Sequence, residues 1–511
     1  MCPAVCRTAS VDFAAAGNAS QPVGAAGSKR RLKRLGTGIP GLDEILRGGL
    51  LAGRTTLVRG GPGVGKTALG LHFLVEGTKH GEPVAFISHG TTVEMAAADA
   101  GSLGLDASGV EFLDFTPGPD FFAESQAYDL FPAAEVEGDS FASAIIERFE
   151  QLGPTRVFLD ALTLVRHLSA DVVDFRRYSQ AFLSFLTSSG ATVMFASGSS
   201  DRGTDEDLQF MADAVINLDY SPTLGRTVTI SKLRGSGFRL GAHSAKIDEN
   251  GLHVFPRLLP ERFGRAPVDR MLPSGIGELD AMLNGGIECG AVTLMTGPTG
   301  VGKTTMGTQF IKEAARRGER SVIYTFEETT GVLQQRSEGI GMPIGEMLED
   351  GMLSIVEIEP LHYTPDQFAL VVREEVEERG AQVVMIDSSS GYGVSMQGEQ
   401  LVPHLHALCK YLKNMGVTVV LVFEVAEITG EFRATDADLS YIADNILFLR
   451  YVEIDGELRR VVGVLKKRTS DFEKKLRELS ITAEGLVVGE PLAGFRGILS
   501  GLPMPAARGV A

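Results

Sequence analysis

One segment of this chain occurs twice, and no gap is needed to align the copies. Residues 37–67 read TGIPGLDEILRGGLLAGRTTLVRGGPGVGKT, and residues 274–304 read SGIGELDAMLNGGIECGAVTLMTGPTGVGKT. Each copy ends in a match to G-x-x-x-x-G-K-[ST], at Gly60–Thr67 and Gly297–Thr304. Lys66 and Lys303 lie 237 residues apart, a period far longer than a solenoid unit, so the repeat marks a duplicated domain. The chain's 511 residues are enough for two large domains with one core each.

Within each half, short apolar runs alternate with helical patterns, the signature of a parallel α/β sheet. In the first half strands are predicted near Thr55–Arg59, Val84–Ser88, Arg156–Asp160, Thr192–Ala196 and Ala214–Leu218. In the second they are predicted near Val292–Thr296, Ser321–Phe326, Val383–Asp387, Val417–Phe423 and Asn445–Leu449. Each half then closes on a hairpin-like β stretch: Val228–Lys232 with Ser244–Ile247, and Val461–Leu465 with Leu476–Ile481. Proline and glycine between Pro256 and Pro273 mark the join. The expected organisation is a disordered tail at 1–30, a first nucleotide-binding domain at 31–258, a second at 259–500 and a flexible end at 501–511.

Composition narrows the function classes. The formal net charge of −17 argues against a nucleic-acid binder, whose footprint is basic. Val417–Phe423, among the longest apolar stretches, is too short to span a bilayer, which argues against a membrane protein. The four cysteines (Cys2, Cys6, Cys289, Cys409) show neither a disulfide framework nor metal-ligand spacing, which fits a reducing, cytoplasmic setting. His404 and His406 lack partners at ligand spacing and read as a solvated helix face, as does the acidic run Glu374–Glu378.

Each loop follows a predicted strand and opens a predicted helix, the context this motif requires. Glycines let backbone N–H groups approach phosphate oxygens, and the helix N-terminus favours an anion. The candidate nucleotide ligands are therefore Gly60, Gly61, Pro62, Gly63, Val64, Gly65, Lys66 and Thr67 in the first half. In the second they are Gly297, Pro298, Thr299, Gly300, Val301, Gly302, Lys303, Thr304 and Thr305. Lys66 and Lys303 are expected on the β- and γ-phosphates of ATP. Thr67 and Thr304 are expected on Mg²⁺, with Asp160 and Asp387 as the acids that end neighbouring strands.

The halves differ where a catalytic carboxylate belongs. The second has Glu327-Glu328 after strand SVIYTF, a general base with a supporting acid. The first has His89-Gly90 there, so its loop and metal acid remain but both carboxylates are gone. His89 reads as filling space beside the nucleotide, with a role as base the alternative. Past the last sheet strand each half carries a basic pair, Lys232 with Arg234 and Lys466 with Arg468. Such a pair can stabilise charge on a neighbouring subunit's γ-phosphate, or can simply be a solvated hairpin. Asp213 and Asp444 match between the repeats and read as caps near a last strand.

The double RecA-type P-loop, the TGIPGLD and SGIGELD entries, the Glu-Glu strand end and the K-x-R hairpins together resemble the KaiC family, over roughly residues 30–500. The stretch 440–468 looks especially like the second domain of the family's cyanobacterial clock members. The resemblance implies tandem RecA-like domains in a two-tiered homohexamer, with ATP and Mg²⁺ between subunits. It implies Glu327 and Glu328 as catalytic carboxylates and Lys466 and Arg468 as a pair acting across the interface, with Lys232 and Arg234 as first-tier counterparts. Ser440 falls where the family's acceptor serine sits, beside Tyr441 in place of threonine, so serine/threonine autokinase activity is expected in the second domain.

The missing first-half carboxylates suggest a first tier that binds nucleotide mainly to hold the ring. The short segment after Ser500 suggests a signalling homologue with a protein partner of its own rather than a clock oscillator. Two other readings stay open: a DNA-dependent motor on the same core, and a nucleotide-gated scaffold without turnover.

Overall fold

The computed structural model describes residues 33–88, 92–114, 147–162, 172–198, 202–264, 269–396, 401–425, 441–454, 456–493, 495–496 and 504–505. The expected tail at 1–30 lies outside them, as do His89, Gly90 and Ser440. Two nine-stranded sheets dominate. The first contains β1 (Thr55–Gly60), β2 (Val84–Ser88), β3 (Glu111–Asp114), β4 (Arg156–Asp160), β5 (Thr192–Gly198), β6 (Ala214–Ser221), β7 (Gly225–Leu233), β8 (His243–Asp248) and β9 (Gly251–Phe255). The second contains β10 (Val292–Gly297), β11 (Ser321–Thr325), β12 (Leu353–Glu357), β13 (Val383–Asp387), β14 (Thr418–Glu424), β15 (Asn445–Ile454), β16 (Glu457–Lys467), β17 (Arg477–Thr482) and β18 (Gly485–Pro491).

The strand order is β3-β2-β4-β5-β1-β6-β7-β8-β9 in the first sheet and β12-β11-β13-β14-β10-β15-β16-β17-β18 in the second. These are the same topology. The half that carries the P-loop strand is parallel, and the last strands run antiparallel. This is the tandem RecA-like P-loop fold with terminal β strands that the family resemblance implied. All ten core strands and both closing hairpins read from the sequence are present. The outer strands β3 and β12 and the last strands β9 and β18 were not foreseen.

Helices cover both faces of each sheet. Strand side chains alternate between faces. Phe158 and Met194 therefore pack towards helix α1 (Lys66–Lys79), while Val157, Val193 and Phe195 face helix α2 (Val172–Ser188). In the second domain Met385, Val420 and Val422 pack with Met306 and Phe310 of helix α3 (Lys303–Arg316). On the opposite face Val384, Val419 and Leu421 meet helices α4 (Pro365–Glu377) and α5 (Leu401–Asn414) through Phe368, Leu405 and Leu408.

The entry signature has a local explanation. The Thr37 amide and hydroxyl donate to Asp43, and those of Ser274 donate to Asp280, bending the chain onto the short helix that follows. Both domains lean on one buried acid. Asp366, in the first turn of α4, accepts from the Ser244 amide (3.2 Å) and hydroxyl (3.0 Å) of the first domain. The linker is pinned too: Asn414 donates to the Pro260 carbonyl at 2.8 Å, and Phe263 stacks edge-on to Tyr411.

Two surface expectations need correction. In the acidic run Glu374–Glu378, Glu375 is buried (3 % exposed) between Arg320 and Arg379. His404 and His406 are half-buried rather than solvated. His404 faces Asp366 at 3.6 Å, and His406 stacks edge-on against Tyr441.

Candidate active site

Each P-loop joins its strand to the helix through a residue in the left-handed region, Gly65 at φ 111° and Gly302 at φ 109°. A side chain there would be strained, and its Cβ would press on Ile247 or Ile481 of the closing hairpin at 2.6 and 3.0 Å. No side chain caps either helix, so the first-turn N–H groups are free to meet an anion. The lysines fold back on their own loops. Lys66 Nζ donates to the Gly60 and Gly61 carbonyls at 2.9 and 2.7 Å, and Lys303 Nζ to the Pro298 carbonyl at 2.8 Å. Burial lowers both lysine pKa values, while the nearby carboxylates oppose the shift.

The expected metal residues meet in pairs. Thr67 donates to Asp160 at 2.6 Å. Thr304 donates likewise to Asp387, whose pKa is pushed up to about 6 chiefly by burial and further by the Glu328 charge. A hydroxyl beside a strand-end carboxylate, at the first turn of an uncapped helix, is an all-oxygen donor set suited to a hard divalent cation. The residues present therefore fit a Mg²⁺–nucleotide.

Glu327 and Glu328 stand beside this pair. Ser388, next to Asp387, donates to Glu327 at 3.0 Å, while Glu328 is held by Arg336. Both carboxylates are thus oriented by neighbours. A further acid escaped the sequence reading. Glu424 ends β14 in register with Gly297, the first residue of the P-loop, and the Val425 amide donates to the Gly297 carbonyl at 3.1 Å. It was hidden because it closes an apolar run; the signal was its place at the end of the strand next to the loop. In the first domain the matching position, paired with Gly60, is Gly198.

The basic pairs lie elsewhere. Lys466 is paired with Ile446, which lies beside the start of β10 and thus near the opposite end of the sheet from Gly297. At about 3.3 Å per residue the pair sits on the order of 10–15 Å from its own loop. Lys466 donates to the Ala443 carbonyl at 2.7 Å, and Arg468 to the Tyr441 carbonyl at 2.9 Å and to Asp444 at 3.4 Å. Lys232 donates to the Gln209 carbonyl at 2.7 Å, and Arg234 lies 3.7 Å from Asp213. In both domains a β-bulge precedes the pair, between Val215 and Ile216 and between Ile446 and Leu447 on the facing strand. A bulge re-aims the side chains that follow it.

Asp213 and Asp444 thereby gain a role beyond capping. Each fixes the start of the P-loop strand, through the Thr55 and Val292 amides, and each also holds the arginine of the pair. Each takes one more cation, but from different places: Arg54 for Asp213, Lys413 for Asp444.

Among the described residues no helix is long and apolar enough to cross a membrane. Cys289 and Cys409 are buried free thiols.

Comparison with known proteins gives the family. The family model described as "ATPase: KaiC" matches residues 35–258 and again 272–493. The circadian clock oscillator protein KaiC of Thermostichus vulcanus is 30 % identical over 499 residues, covering 93 % of this chain and 93 % of that protein. The circadian clock protein KaiC3 of Synechocystis sp. is 30 % identical over 500 residues, covering 93 % and 96 %. The KaiC of Parasynechococcus marenigrum is 29 % identical over 503 residues, covering 94 % and 95 %. With two matched P-loop domains and relatives aligned along nearly the whole length, the chain belongs to the KaiC family of ATPases.

Proposed function

We propose that this KaiC-family ATPase is a cytoplasmic, hexameric signalling protein whose two tiers divide the work. Nucleotide with Mg²⁺ is bound by the residues of both loops, Gly60–Thr67 and Gly297–Thr305, with Asp160 and Asp387 completing the metal sites. The second tier hydrolyses ATP and acts as an autokinase on Ser440, and the first holds nucleotide mainly for assembly. A ligand bound between subunits stabilises the assembled state because it binds that state preferentially.

The observation that carries this reading is the contrast between two otherwise equivalent sites. In the second, Glu327 and Glu328 stand beside Asp387 and Lys303, oriented by Ser388 and Arg336. In the first, the same strand ends at Ser88 and runs into His89-Gly90. Water or a serine hydroxyl needs a carboxylate to take its proton as it attacks. Glu327 is the candidate base, and Glu328, paired with Arg336, the supporting acid.

The place of the basic pairs supports assembly. Lys466 and Arg468, like Lys232 and Arg234, sit too far along the sheet to reach their own loop. They can act on phosphate charge only from an adjacent subunit. The recognition partner of the assembled protein is proposed to be another signalling protein.

Phosphate release by the double variant Glu327→Gln/Glu328→Gln tests the division of labour. Turnover falls at least about 100-fold while nucleotide-dependent assembly persists. Intact turnover in that variant would overturn it. Peptide mass spectrometry after incubation with Mg–ATP, on wild type and Ser440→Ala, tests the kinase step.

A further inference from the structure

The carboxylate of Glu424 has no part in the reading above, yet strand pairing places it at the mouth of the second P-loop. Its strand β14 lies between β10, which runs into the P-loop, and β13, which ends in Asp387. Alternation along β14 fixes its direction. Val420 and Val422 pack on the side of α3, and Phe423 packs on the other face. Glu424 therefore points to the side of the sheet on which α3 begins, as does Asp387 after Met385 on β13. Lys303, the first residue of α3, is 8 % exposed there, and its ammonium feels the Glu424 charge. The first domain repeats this layout with Gly198 in place of the acid.

A P-loop holds the α- and β-phosphates by its backbone amides, and its lysine reaches on to the γ-phosphate. The third phosphate is thus the group brought towards the strand ends. Glu424 adds a negative charge there that is neither hydrogen-bonded to the metal threonine nor paired with Arg336. Like charges in a partly buried site oppose one another far more than in water.

The geometry points to Glu424 as the residue that sets how strongly the second site prefers a nucleoside triphosphate over a diphosphate. It weakens the hold on the γ-phosphate and leaves the diphosphate unaffected. The inference rests on nucleotide binding at Gly297–Thr304, as proposed above. It makes the second site release its triphosphate readily, whereas the first site, with Gly198, retains it.

The chain has no tryptophan, so a single reporter can watch the second loop alone. Tyr451 suits this, because its hydroxyl lies 3.3 Å from where a Cβ on Gly300 would be. In a Tyr451→Trp background, fluorescence titrations with the non-hydrolysable analogue AMP-PNP and with ADP, both with Mg²⁺, give the two affinities. Glu424→Gln should tighten AMP-PNP about tenfold and change ADP less than twofold. Equal tightening of both, or of neither, would overturn the inference.

A Tyr451→Trp parent that responds to neither nucleotide, just as its Lys303→Ala derivative does, would instead remove the binding site itself and the inference with it. The reciprocal variant guards against a misfolded Glu424→Gln chain. A Cβ at Gly198 meets nothing within 4 Å, so Gly198→Glu is sterically open. Measured by calorimetry on the whole chain, it should weaken AMP-PNP about tenfold at the first site and spare ADP; no selective loss would count against the mechanism.

Discussion

Acid should loosen the first domain through one buried histidine. His72 lies on α1, 8 % exposed, and its Nε2 accepts the Leu252 amide at 2.9 Å. That bond ties the P-loop helix to the final strand β9. The turn before it is moulded to the ring: Gly251, at φ 100°, would put a Cβ 2.2 Å from Nε2. Burial, helped by His253 and Lys79, lowers the His72 pKa to about 4. The matching residue in the second domain is Gln309, which donates to the Ser274 carbonyl and does not titrate.

A histidine with a depressed folded-state pKa stabilises the fold above its unfolded value of about 6.5, and that stability is lost as pH falls towards 4. The full loss is about 3 kcal/mol, at about 1.4 kcal/mol per unit, and about 2 kcal/mol of it is gone by pH 5. For a domain of this size that is a fall in Tm of about 4–8 °C. The assay is calorimetry at pH 7.5 and pH 5, with hydrogen exchange of the peptide containing Leu252, on wild type and His72→Gln. The carboxylates titrate in both proteins, so the difference between them isolates the imidazole. If wild type and variant lose the same stability between the two pH values, the reasoning is wrong.

Three other outcomes are expected. Gly70→Ala would set a methyl 2.3 Å from the Phe158 ring and should cost about 2–3 kcal/mol in chemical denaturation, whereas Gly307→Ala, which meets the flexible Met385 thioether, should cost about 1 kcal/mol. Asp444→Asn releases Arg468 and Lys413 together; thermal melting should show a loss of about 1–2 kcal/mol, and ATP turnover should fall, while Lys413→Met should leave turnover closer to wild type. Asp366→Ala removes the acceptor for Ser244 and should speed limited proteolysis within the linker at 256–273 several-fold, a rate read directly on gels.

The core strands and phosphate loops were legible because their signals are local. Val417–Phe423 is a continuous β-branched run, and only a strand covered on both faces has one. The P-loop glycines carry their own geometry. The outer strands β3 and β12 were not legible, since an edge strand such as Leu353–Glu357, buried on few positions, lacks that apolar run. Nor were partners supplied from afar. Glu375 reads as solvated until Arg320, brought by a different element, is beside it. Asp366 drew no notice in the sequence, because its partner Ser244 comes from the other domain. Asp213 and Asp444 read from the sequence only as matched caps, and their further work became visible when the sheet brought strand start and basic pair together.

The lysines folded onto their own loops bear on how quickly the protein can change occupants. With Lys66 and Lys303 held by carbonyls of Gly60, Gly61 and Pro298, each cradle stays in shape between one guest and the next. An arriving phosphate trades one set of bonds for another instead of ordering a slack loop, so little conformational entropy is lost on entry. Turnover of guests is then governed by departure, and a slow cadence has to come from whatever closes over the occupied site.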